Sequence, residues 1–427
     1  MVPMSNDMTE ATSRRSDALA ARPASALTVL TALNALNYLD RFVVAPLLPL
    51  IIVGLSLDDR QAGSLQSAFI LVYAVVSPVA GWLGDRLSRL RIAALGVALW
   101  SVATLGSGLA STFAWLLLAR ALVGIGEATY TVVTPSLLAD HYPPSRRGRA
   151  LSVFYAAMPI GIALGYVLGA QIGARHGWRP AFFVAGLPGL LCAAALLWLR
   201  EPPRGRFDGG KDIARNLPLR EFLRVLGHRR SYFVNVAAQT VYTFTMGGLG
   251  AWMPTYFVRE RGLSVSRAGT LFGILLLVAG FLGTLAGGQI GDRLARRFRS
   301  AHFVFSGITL LAAIPFTLAA VLSPDPAIYW PATGMTLFCL FLNNGPLNAA
   351  LVNVLPTTAR ARGVGLHVTT IHLFGDACSP FLIGVASHAM GLRMPVLATG
   401  LLASVAGLIL LLGRGSLARD LAAAGSE

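Results

Sequence analysis

"GWLGDRLSRLR", residues 81–91, and "GQIGDRLARRF", residues 288–298, are two copies of one loop. Gly81, Gly84, Asp85, Arg86, Leu87 and Arg89 recur as Gly288, Gly291, Asp292, Arg293, Leu294 and Arg296, at a constant offset of 207 residues. Each copy closes a long apolar run with a burst of charge. A weaker echo joins "RRGRALSV" (146–153) to "RARGVGLHV" (360–368). The chain is therefore built from two related halves, an organisation common among membrane carriers whose substrate site lies between the repeats.

The apolar runs around these loops fix the fold class. Of the 427 residues, 55% are hydrophobic and 13% charged, whereas about 25% are charged in soluble proteins. A membrane-crossing helix needs about 20 mostly apolar residues. Candidate spans fall at 27–54, 61–84, 92–110, 114–139, 148–172, 180–199, 230–258, 268–290, 301–322, 328–354, 363–390 and 394–413. The expectation is an all-α membrane protein of twelve transmembrane helices in two pseudo-symmetric six-helix bundles. Residues 1–24 are polar, lack the apolar core of a cleaved signal, and read as a mobile cytoplasmic tail. The bundles are expected over 25–200 and 230–413, with a cytoplasmic linker at 201–229 and a second cytoplasmic tail at 414–427. The linker is rich in Pro and Gly near its start. Leu219, Phe222, Leu223 and Leu226 have helical spacing, which predicts a short amphipathic helix on the membrane surface.

The net charge is +16, and Lys211 is the sole lysine among 35 basic residues. The basic residues cluster in short loops between apolar runs, which excludes a nucleic-acid-binding face. Most lie in the tails and the even-numbered loops. The positive-inside rule then places both termini in the cytoplasm, and the expected location is the cell (inner) membrane. Cys192, Cys339 and Cys378 sit in apolar runs without CxxC spacing, so neither a disulfide framework nor a metal site is expected. The sequence has no HExxH, GxSxG or P-loop. No enzyme activity and no cofactor are expected.

Charges inside the spans carry the functional signal. In "TALNALNYLDRFVVAPLLPL" (31–50), Asp40 and Arg41 interrupt the first span. Each charge costs about 2.5–3.5 kcal/mol at the bilayer centre on insertion scales. The fourth span holds Arg120 and Glu127, seven residues apart and so on one helical face. Two acids and two bases can neutralise one another. A structural ion-pair network and a proton and substrate relay both fit this pattern, and intramembrane charge favours the relay. Asp40 and Glu127 are the proton-coupling candidates, with Arg41 and Arg120 as charge partners or anion ligands, since a guanidinium grips phosphate or carboxylate through its planar fork. In the second half, Gln239, Tyr242, Asn343, His367, His372 and Asp376 are candidate cavity-lining residues. Gly161, Gly165 and Gly169 form a small-residue stripe suited to close helix packing.

The duplicated Gly-Asp-Arg loop, the span number and the central linker resemble the major facilitator superfamily over nearly the whole chain. Within it, "NYLDRF", "RALVGIGEATYTVVTPSLLAD" and "PPSRRGRALSVFYAAMPIGIALGY" look like the spinster family of lipid transporters. This resemblance implies that the first and fourth helices bring Asp40, Arg41, Arg120 and Glu127 around one water-accessible cavity. It implies a gating latch built from Gly81, Gly84, Asp85, Arg86, Arg89, Gly288, Asp292 and Arg293, and a gating role for the glycine stripe. The expected function is proton-coupled alternating access for a lysophospholipid- or sphingolipid-like single-tailed lipid, carried by a monomer. A proton-coupled carrier of a sugar acid or aromatic acid is the alternative. An intramembrane enzyme or receptor is a remote third.

Overall fold

A computed structural model describes residues 23–207 and 218–424. The expected N-terminal tail, apart from Pro23 and Ala24, and residues 208–217 of the linker lie outside the described residues. The first half contains α1 (Pro23–Gly54), α2 (Asp59–Arg86), α3 (Arg89–Gly108), α4 (Phe113–His141), α5 (Pro144–His176) and α6 (Trp178–Trp198). A short α7 (Leu219–Gly227) leads into α8 (Arg230–Arg261), α9 (Val265–Ala295) and α10 (Ala301–Leu322). The tenth span is broken into α11 (Pro326–Phe341) and α12 (Asn344–Asn353). The eleventh runs through α13 (Thr357–Ile371), a π-helical turn (His372–Asp376) and α14 (Ser379–Met390); α15 (Arg393–Ala424) is the twelfth. The helix α15 covers most of the stretch expected to be a C-terminal tail, and Pro23 and Ala24 already belong to α1.

Local chemistry sets the helix ends. Asp58 and Gln61 form a reciprocal capping box at the start of α2, and Thr112 and Ser264 cap α4 and α9, satisfying backbone N–H groups that the helix leaves free. Gly262 ends α8 in the left-handed region, where a side chain would be strained. Among the described residues, eleven of the twelve spans are long and apolar enough to cross a membrane. The exception is α8, whose Asn235, Gln239 and Thr245 are buried inside the bundle. Its length of 32 residues spans easily, but its polar residues face protein instead of lipid.

With twelve spans, both chain ends and the linker fall on one side, here termed the linker side. On the opposite, far side the halves are tied together. Arg259 donates to both carboxylate oxygens of Asp59 at 2.8 and 2.9 Å, and Ser387 donates to the same carboxylate at 2.6 Å. The Phe381 N–H donates to Ser67 Oγ, Tyr166 to the Gly250 carbonyl, and Gln171 to Thr270. A cleft of about 910 Å³ opens between α2 and α13 toward the linker side.

The linker side is braced within the first half. Arg89 bonds Asp140 at 2.6 Å and Glu201 at 2.9 Å, and Glu201 also accepts from Ser88 Oγ and the Arg89 N–H. Burial alone would raise the Glu201 carboxyl, but these bonds from Ser88 and Arg89 hold it below its ordinary value. Arg204 donates to the Gly84, Asp85 and Leu87 carbonyls, closing the C-terminal end of α2 with a cation. In α7, Phe222 and Leu226 are buried while Leu219 and Leu223 are exposed, so the expected apolar stripe divides between protein and membrane.

Candidate functional site

Close packing of α5 on α1 positions the charged cluster. A Cβ on Gly165 would lie 2.6 Å from the Leu39 carbonyl, and one on Gly161 2.3 Å from that of Ala35. The glycine stripe therefore lets α5 press on the α1 backbone beside Asp40 and Arg41, which is the packing role expected of it.

Arg41 Nε and Nη2 both donate to Glu127 Oε2, at 3.0 and 2.8 Å. The Arg41 guanidinium lies 4.7 Å from the Tyr73 ring centroid and 5.1 Å from those of Tyr38 and Phe69. Arg120 sits 4.9 Å from the same Phe69 ring, so both cations use the aromatic face of α2. Arg120 is fully buried. Its guanidinium nitrogens have no hydrogen-bond partner among the described residues, and its charge is balanced electrostatically by Asp40 and Glu127. Asp40, also fully buried, accepts from Thr104 Oγ1 on α3. One oxygen each of Asp40 and Glu127 has no hydrogen-bond partner among the described residues. Each unmet polar atom in such a buried network is costly in a low dielectric.

A cavity of about 410 Å³ lies between the halves. The first half lines it with Tyr38, Arg41, Gln66, Phe69, Tyr73 and Tyr166, and the second with Tyr242, Asn344, His372 and Asp376. Tyr242 donates to Asn344 at 3.1 Å, and His372 pairs with Asp376 at 3.0 Å on the π-helical turn. At Met158, Ile162, Leu276, Phe341 and Asn344 this cavity meets a lateral chamber of about 620 Å³ between α5, α9, α11 and α12. The exposed Phe281 and Leu285 stand in its wall.

Several expected positions are corrected. The four charges do not ring one open space: Arg41 faces the cavity, while Asp40, Arg120 and Glu127 are sealed behind it. Of the six expected lining residues, Tyr242, His372 and Asp376 reach the cavity. Gln239 instead bonds Asn235 within α8. Asn343 is buried at the helix break, donating to Cys339 and Leu340 and accepting from Thr309. His367 is buried away from the cavity wall. The sequence reading missed the aromatic and amide wall of α2, from Gln66 to Tyr73, and Tyr166 on α5.

The expected latch residues are distributed. Asp85, Arg86, Asp292 and Arg293 are exposed on the linker side, and Arg86 stacks on Trp82 at 4.1 Å. Arg89 is a brace within the first half. Gly84 admits Val133 of α4, while Gly288 is approached by Gly345 of α12. Gly81 lines the cleft between α2 and α13.

Comparison with known proteins agrees with this architecture. Residues 30–375 match the model of the Major Facilitator Superfamily. Protein spinster homolog 1 of Homo sapiens is 34% identical over 398 residues, 88% of this chain and 75% of that protein. Protein spinster homolog 1 of Xenopus laevis is 33% identical over 82% of this chain and 70% of its own length. A crystal structure of a bacterial homolog to the human lysosomal transporter Spinster, in an inward-facing and unoccupied conformation, superposes with a TM-score of 0.85. That match has 26% identity and covers 93% of this chain and 98% of the other. A D-xylose-proton symporter shares the fold alone, with a TM-score of 0.70 and 17% identity over 90% of this chain and 96% of its own. With two six-helix halves, a cavity between them and relatives matched along most of its length, the chain belongs to the major facilitator superfamily and, within it, to the spinster family of transporters.

Proposed function

We propose that this protein is a proton-coupled carrier of single-tailed amphipathic lipids, of the lysophospholipid or sphingolipid-like class, working by alternating access. The observation that carries the reading is the join between the polar central cavity and the lateral chamber. A lipid headgroup fits against Arg41, and its single tail runs past Leu276 and Phe341 into the chamber. A compact organic anion would use the Arg41 end and leave the chamber empty; the amide, phenol and guanidinium groups of the central cavity favour this second reading.

Asp40 and Glu127 are the proton-carrying groups in this proposal. Protonating Glu127 removes the negative charge that strengthens both Arg41 bonds and loosens the guanidinium for an anionic headgroup. The charge of Arg120, shared between Asp40 and Glu127 before protonation, is then balanced by Asp40. Orientation follows from the basic linker side, which is placed in the cytoplasm of the cell (inner) membrane. The conformation described here is then cytoplasm-open. The chain works as a monomer, its halves at 25–200 and 230–413 moving as units about the linker.

The test is ligand binding to the purified protein. Lysophospholipids, sugar acids and aromatic acids are titrated against wild type and Leu276→Trp, which narrows the neck. The proposal expects saturable lysophospholipid binding that weakens roughly tenfold or more in the variant, the equivalent of about two excluded methylenes. Binding of sugar acids in preference to lysolipids, unaffected by Leu276→Trp, would replace the lipid reading with the organic-anion one.

A further inference from the structure

We infer that the cleft between α2 and α13, roofed by α7, is a binding slot for an acyl chain of an anionic membrane phospholipid. This site is separate from the transported substrate and does not depend on which cargo the central cavity takes. The cleft measures about 910 Å³ and is lined by Ser77, Pro78 and Gly81 of α2, Leu366 and Val368 of α13, and Phe222 of α7.

Its place in the fold mirrors the lateral chamber. The 207-residue offset of the repeat maps Ser77 and Pro78 onto Thr284 and Leu285, which line that chamber. The echo between 146–153 and 360–368 maps α5 onto α13. The molecule thus carries two lateral openings related by its internal symmetry. They differ in that the chamber joins the central cavity, whereas the slot shares no lining residue with that cavity and is covered by α7 on the linker side.

Charge identifies the occupant. Arg362 lines the slot itself. Arg86 stacks on the exposed Trp82 one residue beyond Gly81, an aromatic and arginine pair typical of the headgroup level. Arg220 and Arg224 are exposed on α7. Among the described residues, the acids nearest these arginines in sequence are Asp85 and Glu221, both exposed, so the described rim is net basic. Leu219 and Leu223 present an apolar edge beside those arginines, as expected of a helix lying in the membrane surface. A lipid whose tail enters the slot leaves its phosphate among these guanidiniums, where charge-assisted hydrogen bonds are strongest. A chain lodged there holds α2 and α13 apart and so favours the form open on the linker side.

The experiment uses the full chain in phosphatidylcholine nanodiscs doped with phosphatidylglycerol carrying a photoactivatable diazirine on one tail. Crosslinked peptides are mapped by mass spectrometry. Labelling is expected at residues 77–82, 219–226 and 362–369. It should fall roughly tenfold in Gly365→Phe, where a Cβ meets open space and the ring displaces a few methylenes. Gly81→Trp provides a second variant, since its Cβ meets Val133's neighbour Val132 at an ordinary 3.5 Å. Arg362→Gln should reduce phosphatidylglycerol labelling toward that of an equivalent phosphatidylcholine probe. Equal labelling by both probes in wild type would overturn the anionic-lipid assignment. Labelling that survives both slot-filling variants would overturn the slot, and competition by lysophospholipid would reassign the cleft to the transport path.

Discussion

Arg41 holds Glu127 with two nitrogens while facing the central cavity. Lysine at this position keeps the charge and loses the planar fork. We expect Arg41→Lys to weaken binding of an anionic lysophospholipid roughly ten- to hundredfold, the equivalent of losing a charge-assisted hydrogen bond; isothermal titration on the purified variant checks this. Unchanged affinity would remove Arg41 from the headgroup site. The four intramembrane charges were legible in the sequence because charge in an apolar run is conspicuous. Their arrangement was not. A polar residue in a span avoids lipid, but whether it turns toward a cavity or a neighbouring helix depends on helix rotation and on breaks nearby. Tyr242 faces the cavity, whereas Gln239, three residues earlier on the same helix, bonds Asn235. Phe69 and Tyr73 gave no signal because aromatic side chains are ordinary in a membrane span, although they support the Arg41 guanidinium.

Among elements, the contact of α5 with α1 governs the geometry of the charged cluster. Gly165→Val would drive side-chain atoms into the Leu39 carbonyl. We expect it to destabilise the detergent-solubilised protein by about 1–3 kcal/mol, read as a lower melting temperature; a neutral result would mean that α5 can retreat without loss. The Glu201 brace makes a pH-dependent contribution. Its carboxyl is held below the ordinary glutamate value, so its stabilisation is present above the unfolded value of about 4.3 and is lost as pH falls through the folded value. Glu201→Gln should lower the melting temperature at pH 7, and the gap from wild type should close as pH falls below about 4. A gap independent of pH would assign the effect to packing. Most spans were readable from apolar length, including α8, which was recognised as a span despite its polar inner face. The tenth-span break at Leu342–Asn343 stands at an Asn-Asn-Gly-Pro breaker signal (343–346) that apolar length alone passes over, whereas the π-helical turn at His372–Asp376 was not readable from apolar length or helical spacing.

For the whole molecule, the duplicated loop at 81–91 and 288–298 disclosed the two-half plan, since a constant offset survives wherever two halves share a fold. It did not disclose which side was closed. That depends on contacts such as Asp59 with Arg259, made between residues 200 positions apart. Asp59→Asn weakens this far-side tie. With Arg259 partly exposed and solvent screening the pair, the effect is on the order of 1 kcal/mol, or roughly a fivefold shift of populations. Spin labels at Arg60 and His388 should report a larger far-side open fraction in the variant; identical distance distributions would show that Asp59 does not set the balance. The central claim, proton-coupled movement of a single-tailed lipid, is tested most directly in proteoliposomes under an imposed pH gradient. Wild type should move a fluorescent lysophospholipid at a rate that follows the gradient and collapses with a protonophore, and Glu127→Gln should abolish that dependence while retaining lipid binding. Transport that ignores the gradient in wild type, or that keeps its full gradient dependence in Glu127→Gln, would contradict the account.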